Sequence, residues 1–164
     1  MVVGRILDAA CGVGYGSCLL SLRGSVLGVD QSSVAVKWAN EFFPGPRYVL
    51  GKIEDSPWFG RFDAIVSLET IEHLKDPSKV LKVFRESCAG RFIVSVPNEE
   101  RYPFVAENFV NDESPHYRHY TPGEFQSLLE NHGFTVLEKH CQVSKHKPQV
   151  IEGTEGMFLI YVCR

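Results

Sequence analysis

Long hydrophobic runs are missing from this sequence. No apolar stretch approaches the roughly 20 residues a membrane-spanning helix needs, and Met1-Val2-Val3-Gly4-Arg5 does not read as a signal peptide. Excess positive charge is missing too: 17 Lys and Arg against 20 Asp and Glu leave a net charge of −3. That balance argues against a non-specific nucleic-acid binder, although it leaves room for a local basic patch. The five cysteines are scattered, odd in number and without metal-ligand spacing, which excludes a disulfide scaffold and a zinc site. They read as reduced core residues of an intracellular, cytoplasmic protein. Repeats and low-complexity segments are absent. The 164 residues, 44% hydrophobic and 23% charged, predict a single globular domain spanning 1–164.

The stretch around which the rest is organised is Arg5-Ile6-Leu7-Asp8-Ala9-Ala10-Cys11-Gly12-Val13-Gly14-Tyr15-Gly16. An apolar strand ends near a carboxylate and passes into a glycine-spaced turn, and a helical pattern follows. This is the opening of an open α/β sheet, whose ligands sit outside the carboxyl ends of the strands. A dinucleotide fingerprint G-x-G-x-x-G counted from Gly12 puts Ser17 in its third glycine position. Asp8 at the strand tip would repel a pyrophosphate and suits a ligand with a positive charge, such as an amino acid's ammonium group.

Strand and helix signals then alternate. Ser25–Asp30 and Arg47–Leu50 read as strands two and three, on either side of a helix over Ser33–Phe42 that Pro44-Gly45-Pro46 breaks. Residues 15–22 predict the first helix, 62–68 the fourth strand and 91–98 the fifth, with a helix opened by Asp76 and Pro77 running to about Cys88. Residues 99–120 lack periodicity, and an irregular segment of that length is usually functional or mobile. Thr121 as N-cap with Glu124 as its box partner predicts the helix Pro122–Asn131, stopped at Gly133. Residues 134–143 and 157–163 read as an antiparallel closing pair across a polar Lys/His/Gly loop. The fold expected is Rossmann-like α/β: an open, mostly parallel sheet with an antiparallel C-terminal pair and helices on both faces. Asp30 lies 30 − 8 = 22 positions after Asp8, near the spacing of about 20 at which an acid meets ribose hydroxyls in such folds. It could equally cap the helix that follows.

Asp8, Gly12 and Gly14, with Ala10 in place of a first glycine, resemble motif I (D-x-G-x-G-x-G) of the class I S-adenosylmethionine-dependent methyltransferases. Gly51-Lys52-Ile53-Glu54-Asp55-Ser56-Pro57 is similar to that family's G-D-x-x-x-x-P, with Lys52 where an acid commonly meets the adenine; Glu54 or Asp55 could substitute. The run from Phe62 to Leu74 resembles the family's F-D-x-I…E-H-L block, and His116 to Phe125 resembles H-x-R-H-Y-T-P-x-E-F. Members of that family usually carry N-terminal cap helices before the first strand, and their lack here reads as a minimal catalytic domain or a truncated one. The resemblance implies S-adenosyl-L-methionine as cofactor and S-adenosyl-L-homocysteine as product. The implied cofactor contacts are Asp8, Ala10, Gly12, Gly14, Asp30, Gln31, Ile53, Glu54, Leu68 and Glu69.

Methyl transfer from a sulfonium needs a positioned nucleophile, exclusion of water and a proton acceptor. His73, His116 and His119 are the candidate catalytic residues, since a histidine base suits neutral pH. Glu69, Glu72, His73 and His116 also have the ligand types of a divalent metal site. The same E-x-x-E-H, with a histidine five positions before the helix-opening threonine, occurs in the small-RNA 3′-terminal 2′-O-methyltransferases. It also occurs in the ubiquinone-pathway O-methyltransferases. The expected activity is O-methylation of an unidentified small molecule by a monomer or homodimer, because no N-methyltransferase signature N/D-P-P-Y is present. The alternatives are a metal-assisted RNA 2′-O-methyltransferase-like enzyme and a non-catalytic domain that binds the cofactor. A nucleic-acid acceptor is the less favoured, and no membrane partner is expected.

Overall fold

A computed structural model describes residues 4–54, 60–109 and 115–164. They fall into two compact units, Met1–Ser67 with Lys79–Phe92, and Leu68–Ser78 with Ile93–Arg164. Asp55, Ser56 and Pro57 of the motif after the third strand lie outside the described residues. No helix among the described residues is long and apolar enough to cross a membrane.

The first unit is built on β1 (Arg5–Ala9), β2 (Ser25–Asp30), β3 (Arg47–Leu50) and β4 (Phe62–Ser67). The pairings β1–β2, β1–β4 and β2–β3 are all parallel. Their residues are buried almost continuously from Ile6 to Ala9, Val26 to Asp30 and Ala64 to Ser67, as expected of strands with no solvent face. Helix α1 covers Tyr15–Leu20 and not 15–22, because the chain then tightens into three-residue turns, Leu22 N–H bonding Leu19 and Arg23 N–H bonding Leu20. Helix α2 (Ser33–Phe42) is capped by the Ser32 hydroxyl, which accepts from Ala35 N–H. Helix α3 (Ser78–Ser87) starts where the Asp76 carboxylate accepts from Ser78 N–H at 2.9 Å, and ends one residue short of the sequence reading.

Strand β5 (Cys88–Pro97) follows α3 without a loop and starts three residues earlier than expected. Gly90 permits this close approach, since a Cβ there would stand 2.2 Å from the Asp63 carbonyl oxygen.

In the second unit, α4 (Pro122–Asn131) carries the full capping box between Thr121 and Glu124 that the sequence predicts. Strands β6 (Val136–Ser144) and β8 (Phe158–Cys163) pair antiparallel. The polar loop expected between them contains a further strand, β7 (Lys147–Glu152), paired antiparallel with β6. All six of its residues are exposed, so it carries no apolar alternation to reveal it. The strand order of the eight-stranded sheet is β3-β2-β1-β4-β5-β8-β6-β7. The fold is thus an open α/β sheet, mostly parallel with antiparallel C-terminal strands.

Candidate functional site

The first unit presents the glycine loop at the carboxyl end of β1. Gly12 and Gly14 take left-handed backbone angles, φ 51° and 91°, which a glycine adopts without strain. The Asp30 carboxylate locks this loop to the end of β2: Oδ2 accepts from Gly12 N–H at 2.8 Å and Oδ1 from Ser32 N–H at 2.8 Å. The N-cap of α2 is therefore Ser32 and not Asp30, whose side chain instead ties the glycine loop to the entry of the helix. Each carboxylate oxygen retains a second lone pair for a diol.

Asp8 is buried and its Oδ2 accepts from the Ser17 hydroxyl at 2.5 Å. Burial pushes its carboxyl up to about 6; the Ser17 hydrogen bond pulls it down and the Asp30 charge pushes it up. A buried carboxylate in this state gains from an incoming cation. Ile53 is buried, Glu54 half-buried, and Gln31 and Lys52 exposed, in the turn that Gly51 N–H ties to the Asp30 carbonyl at 2.9 Å.

In the second unit Leu68 is exposed and Glu69 turns the chain with a left-handed φ of 49°, a conformation that costs a non-glycine residue free energy. Ser95 holds it there: Ser95 Oγ donates to Glu69 Oε1 at 2.7 Å and accepts from Glu69 N–H at 3.0 Å. The next residues form a 3-10 turn, Ile71–His73. Two bonds staple this turn to the segment carrying His116. Tyr117 N–H donates to the Glu72 carbonyl at 2.8 Å, and His73 Nδ1 lies 3.2 Å from the Pro115 carbonyl.

As a result Glu72, His73 and His116 come together, each offering a ligand atom within 4.8 Å of the others. Glu69 is not a member of this group, although its charge reaches Glu72. Glu72 is wholly buried, and neither carboxylate oxygen has a hydrogen-bond partner among the described residues. Burial raises the carboxyls of both Glu69 and Glu72, and for Glu72 the Glu69 charge adds to the rise.

The histidine rings are oriented by their neighbours. Carbonyl oxygens only accept, so His73 donates from Nδ1 to Pro115, and His119 donates from Nδ1 to the Tyr102 carbonyl at 2.6 Å. With His119 neutral, its Nε2 is then the acceptor for His116 Nδ1–H, 2.8 Å away. In this arrangement the unprotonated nitrogen of both His73 and His116 is Nε2. Phe109 stacks on the His116 ring at 4.3 Å, and His73 meets it edge-on at 4.5 Å. His119 stands behind His116 with both ring nitrogens engaged. Burial lowers its pKa, against the Tyr102 carbonyl and the Glu99 charge.

Several supporting residues escaped the sequence reading. Ser17 and Ser95 hold the two key carboxylates. Tyr48 reaches from β3 to donate to the Gly14 carbonyl at 3.0 Å. Lys145, in the turn between β6 and β7, donates to the Tyr102 hydroxyl at 2.9 Å. Ser95, Tyr48 and Lys145 lie 26, 34 and 43 residues from what they touch, and Ser17 nine residues away across the glycine turn, so no local pattern marks them.

A family profile described as a methyltransferase domain matches residues 2–139. A Mycolicibacterium smegmatis protein described as a probable S-adenosylmethionine-dependent methyltransferase is 30% identical over 137 residues, covering 80% of this chain and 52% of that protein. The mitochondrial ubiquinone biosynthesis O-methyltransferase of Candida albicans is 31% identical over 119 residues, covering 65% of this chain and 36% of that one. The chain thus spans about half, or less, of the length of these curated relatives. Among solved structures, an S-adenosylmethionine-dependent methyltransferase from Clostridium acetobutylicum superposes with a TM-score of 0.77 at 17% identity, covering 100% of this chain and 85% of its own. That likeness shows the fold. With the profile running through the glycine loop, the Glu72-His73 turn and the His116 segment, the chain belongs to the methyltransferase domain family, in the class that uses S-adenosylmethionine.

Proposed function

We propose that the protein transfers the methyl group of S-adenosylmethionine to a hydroxyl oxygen of a small-molecule acceptor. Asp8 would meet the cofactor's ammonium group and Asp30 its ribose hydroxyls. The observation that carries the oxygen reading is Glu72, a buried carboxylate whose two oxygens are unpartnered among the described residues, grouped with His73 and His116. Leaving such a group unsatisfied costs about 1–3 kcal/mol or more, so the cluster is built for a partner. Two imidazoles and a carboxylate suit a divalent ion, manganese or iron better than magnesium. Glu72, His73 and His116 would hold it, and when bound such an ion lowers the pKa of an acceptor hydroxyl. The relative from Candida albicans, an O-methyltransferase by name, supports the same reading.

The transfer is an in-line displacement. An acceptor oxygen lone pair attacks the methyl carbon, the carbon–sulfur bond breaks with its electrons going to sulfur, and S-adenosylhomocysteine leaves. The acceptor's proton goes to Glu69. Burial raises this carboxyl toward neutrality, which suits a base working near pH 7. Ser95 fixes Oε1 and the left-handed backbone fixes the direction of the side chain.

Labelled S-adenosylmethionine offered with catechols, sugars and a short RNA, with and without manganese, tests the function. Label is expected on the oxygen of a small molecule. Tight cofactor binding with no transfer to any acceptor under either condition would leave a non-catalytic binding domain. Transfer to the RNA alone would move the reading to the 2′-O class. Glu69→Gln should lower kcat about 100-fold, and a parallel loss of S-adenosylhomocysteine affinity would show that this side chain also contacts the cofactor.

A further inference from the structure

The strands that carry the cofactor loop at their carboxyl ends carry arginines at the other. Arg5 is the first residue of β1 and Arg47 the first of β3; Arg23 stands two residues before β2, and Arg61 one before β4. Because these strands are parallel in the order β3-β2-β1-β4, the four arginines fall along one edge of the first unit's sheet. This happens in a chain whose net charge is −3.

A cavity of about 410 Å3 opens at this edge. That is within the range of about 300–1,000 Å3 typical of small-ligand sites. Arg5, Ser25 and Arg47 line its polar side, and the buried residues Ile6, Val26 and Phe62 its apolar side. The Arg5 guanidinium lies 5.0 Å over the Phe62 ring and donates to the Arg61 carbonyl at 3.1 Å, so its stem is fixed along the wall. Asp63, the carboxylate beside Arg5, has its Oδ2 engaged by the Arg5 backbone N–H at 2.7 Å. Arg47 makes no ion pair among the described residues. Planar guanidinium forks beside a hydroxyl match an oxyanion, and the apolar side gives its carrier something to rest on.

We propose that this cavity is a second binding site, separate from the cofactor loop, for a small ligand with a phosphate or carboxylate head on an apolar body. Its floor is made by the amino ends of the strands whose carboxyl ends present Asp8 and Asp30, so an occupant would brace them from below. Arg5 and Arg47 would grip the head, Ser25 would donate to it, and the body would lie on Phe62 and Val26.

Calorimetric titration of the whole chain with phenyl phosphate, benzoate, phenol and inorganic phosphate tests this. Phenyl phosphate or benzoate should bind at least about tenfold more tightly than phenol or phosphate alone, and whichever is tighter identifies the head. Arg47→Gln should lose about tenfold in that affinity while its S-adenosylhomocysteine affinity stays at the wild-type value, which shows an intact fold. Phenol binding as tightly as the anions, no binding at millimolar concentration, or an unchanged Arg47→Gln titration would overturn the site. So would tight binding of an oligonucleotide that Arg23→Gln and Arg61→Gln weaken as much as Arg47→Gln does, since that would make the edge a polyanion surface.

Discussion

Gly12 and Gly14 stand two residues apart in one loop with opposite surroundings. A Cβ on Gly12 would meet nothing within 4 Å, whereas one on Gly14 would lie 2.6 Å from the Cβ of Ala39 and 2.9 Å from the Tyr48 hydroxyl. Both residues have positive φ, so an alanine costs about 1–2 kcal/mol in backbone strain at either position. Gly14→Ala adds a clash with the packed cluster of Cys11, Val36, Ala39 and Tyr48, and should lower the melting temperature on the order of 10 °C. Gly12→Ala should lower it only a few degrees but weaken S-adenosylhomocysteine binding, because its methyl group would enter the open side of the loop, where the proposed function puts the cofactor. Equal thermal losses with unchanged affinity in Gly12→Ala would show that the open side of the loop faces no ligand.

Asp8 supplies a pH dependence. Folding raises its carboxyl from 3.8 to about 6. Between about pH 4 and 6 the folded chain therefore holds a proton that the unfolded chain has released, and this group's contribution to stability is lost as pH rises through that window. An ammonium ligand needs the ionised form, so cofactor affinity should fall about tenfold per pH unit below about 6 and level off above it. Ser17→Ala removes the bond that lowers the Asp8 pKa and should move the break upward. Titrations from pH 5 to 8 that give a flat affinity profile would remove Asp8 from the ammonium contact.

His119 Nε2 stands 2.8 Å from His116 Nδ1, so under the metal proposal it would act by orienting that ring. His119→Ala should weaken manganese binding about 10–100-fold, the usual cost of removing a group that orients a metal-binding histidine. His119→Gln should retain much of the affinity, because an amide can accept from His116 and donate to the Tyr102 carbonyl. S-adenosylhomocysteine binding should be unaffected in both. Full manganese affinity in His119→Ala would show that the orientation of the His116 ring does not depend on His119.

Manganese should raise the melting temperature of the wild type, since an ion that binds only the folded state stabilises it by about 2.7 kcal/mol at 100 times its Kd. For a chain of this size that is roughly 5–10 °C. The rise should vanish in Glu72→Gln and His73→Ala and shrink in His116→Ala. Wild type without a metal-dependent rise, while the cofactor still binds, would end the metal reading.

How far the sequence was legible depended on distance along the chain. The glycine loop and the capping box of α4 are local, so residue spacing alone placed β1, α1 and the Thr121–Glu124 pair. The partners of those elements are tertiary. Nothing near Asp8 says that Ser17 will bond it, and nothing near Gly14 says that Tyr48 will close over it. Resemblance groups Glu72, His73 and His116, and the two bonds that join their segments, from Tyr117 N–H to the Glu72 carbonyl and from His73 Nδ1 to the Pro115 carbonyl, both end on backbone carbonyls that no side-chain pattern encodes. Glu69 showed its chemistry in the sequence but not its left-handed turn. Strand β7 was invisible because a strand exposed on both faces has the composition of a loop.

That exposed strand has an engineering consequence. Strand β8 pairs with β6, and β7 pairs with the opposite side of β6, so β7 is a detachable hem on the fabric of the sheet. Pro148 offers no N–H for a further strand, and Lys147 adds charge, so the hem also discourages stacking of copies edge to edge. Replacing 147–152 with a short turn would leave β6 and β8 as a direct hairpin, and a foreign peptide grafted there would extend from the domain without entering its core.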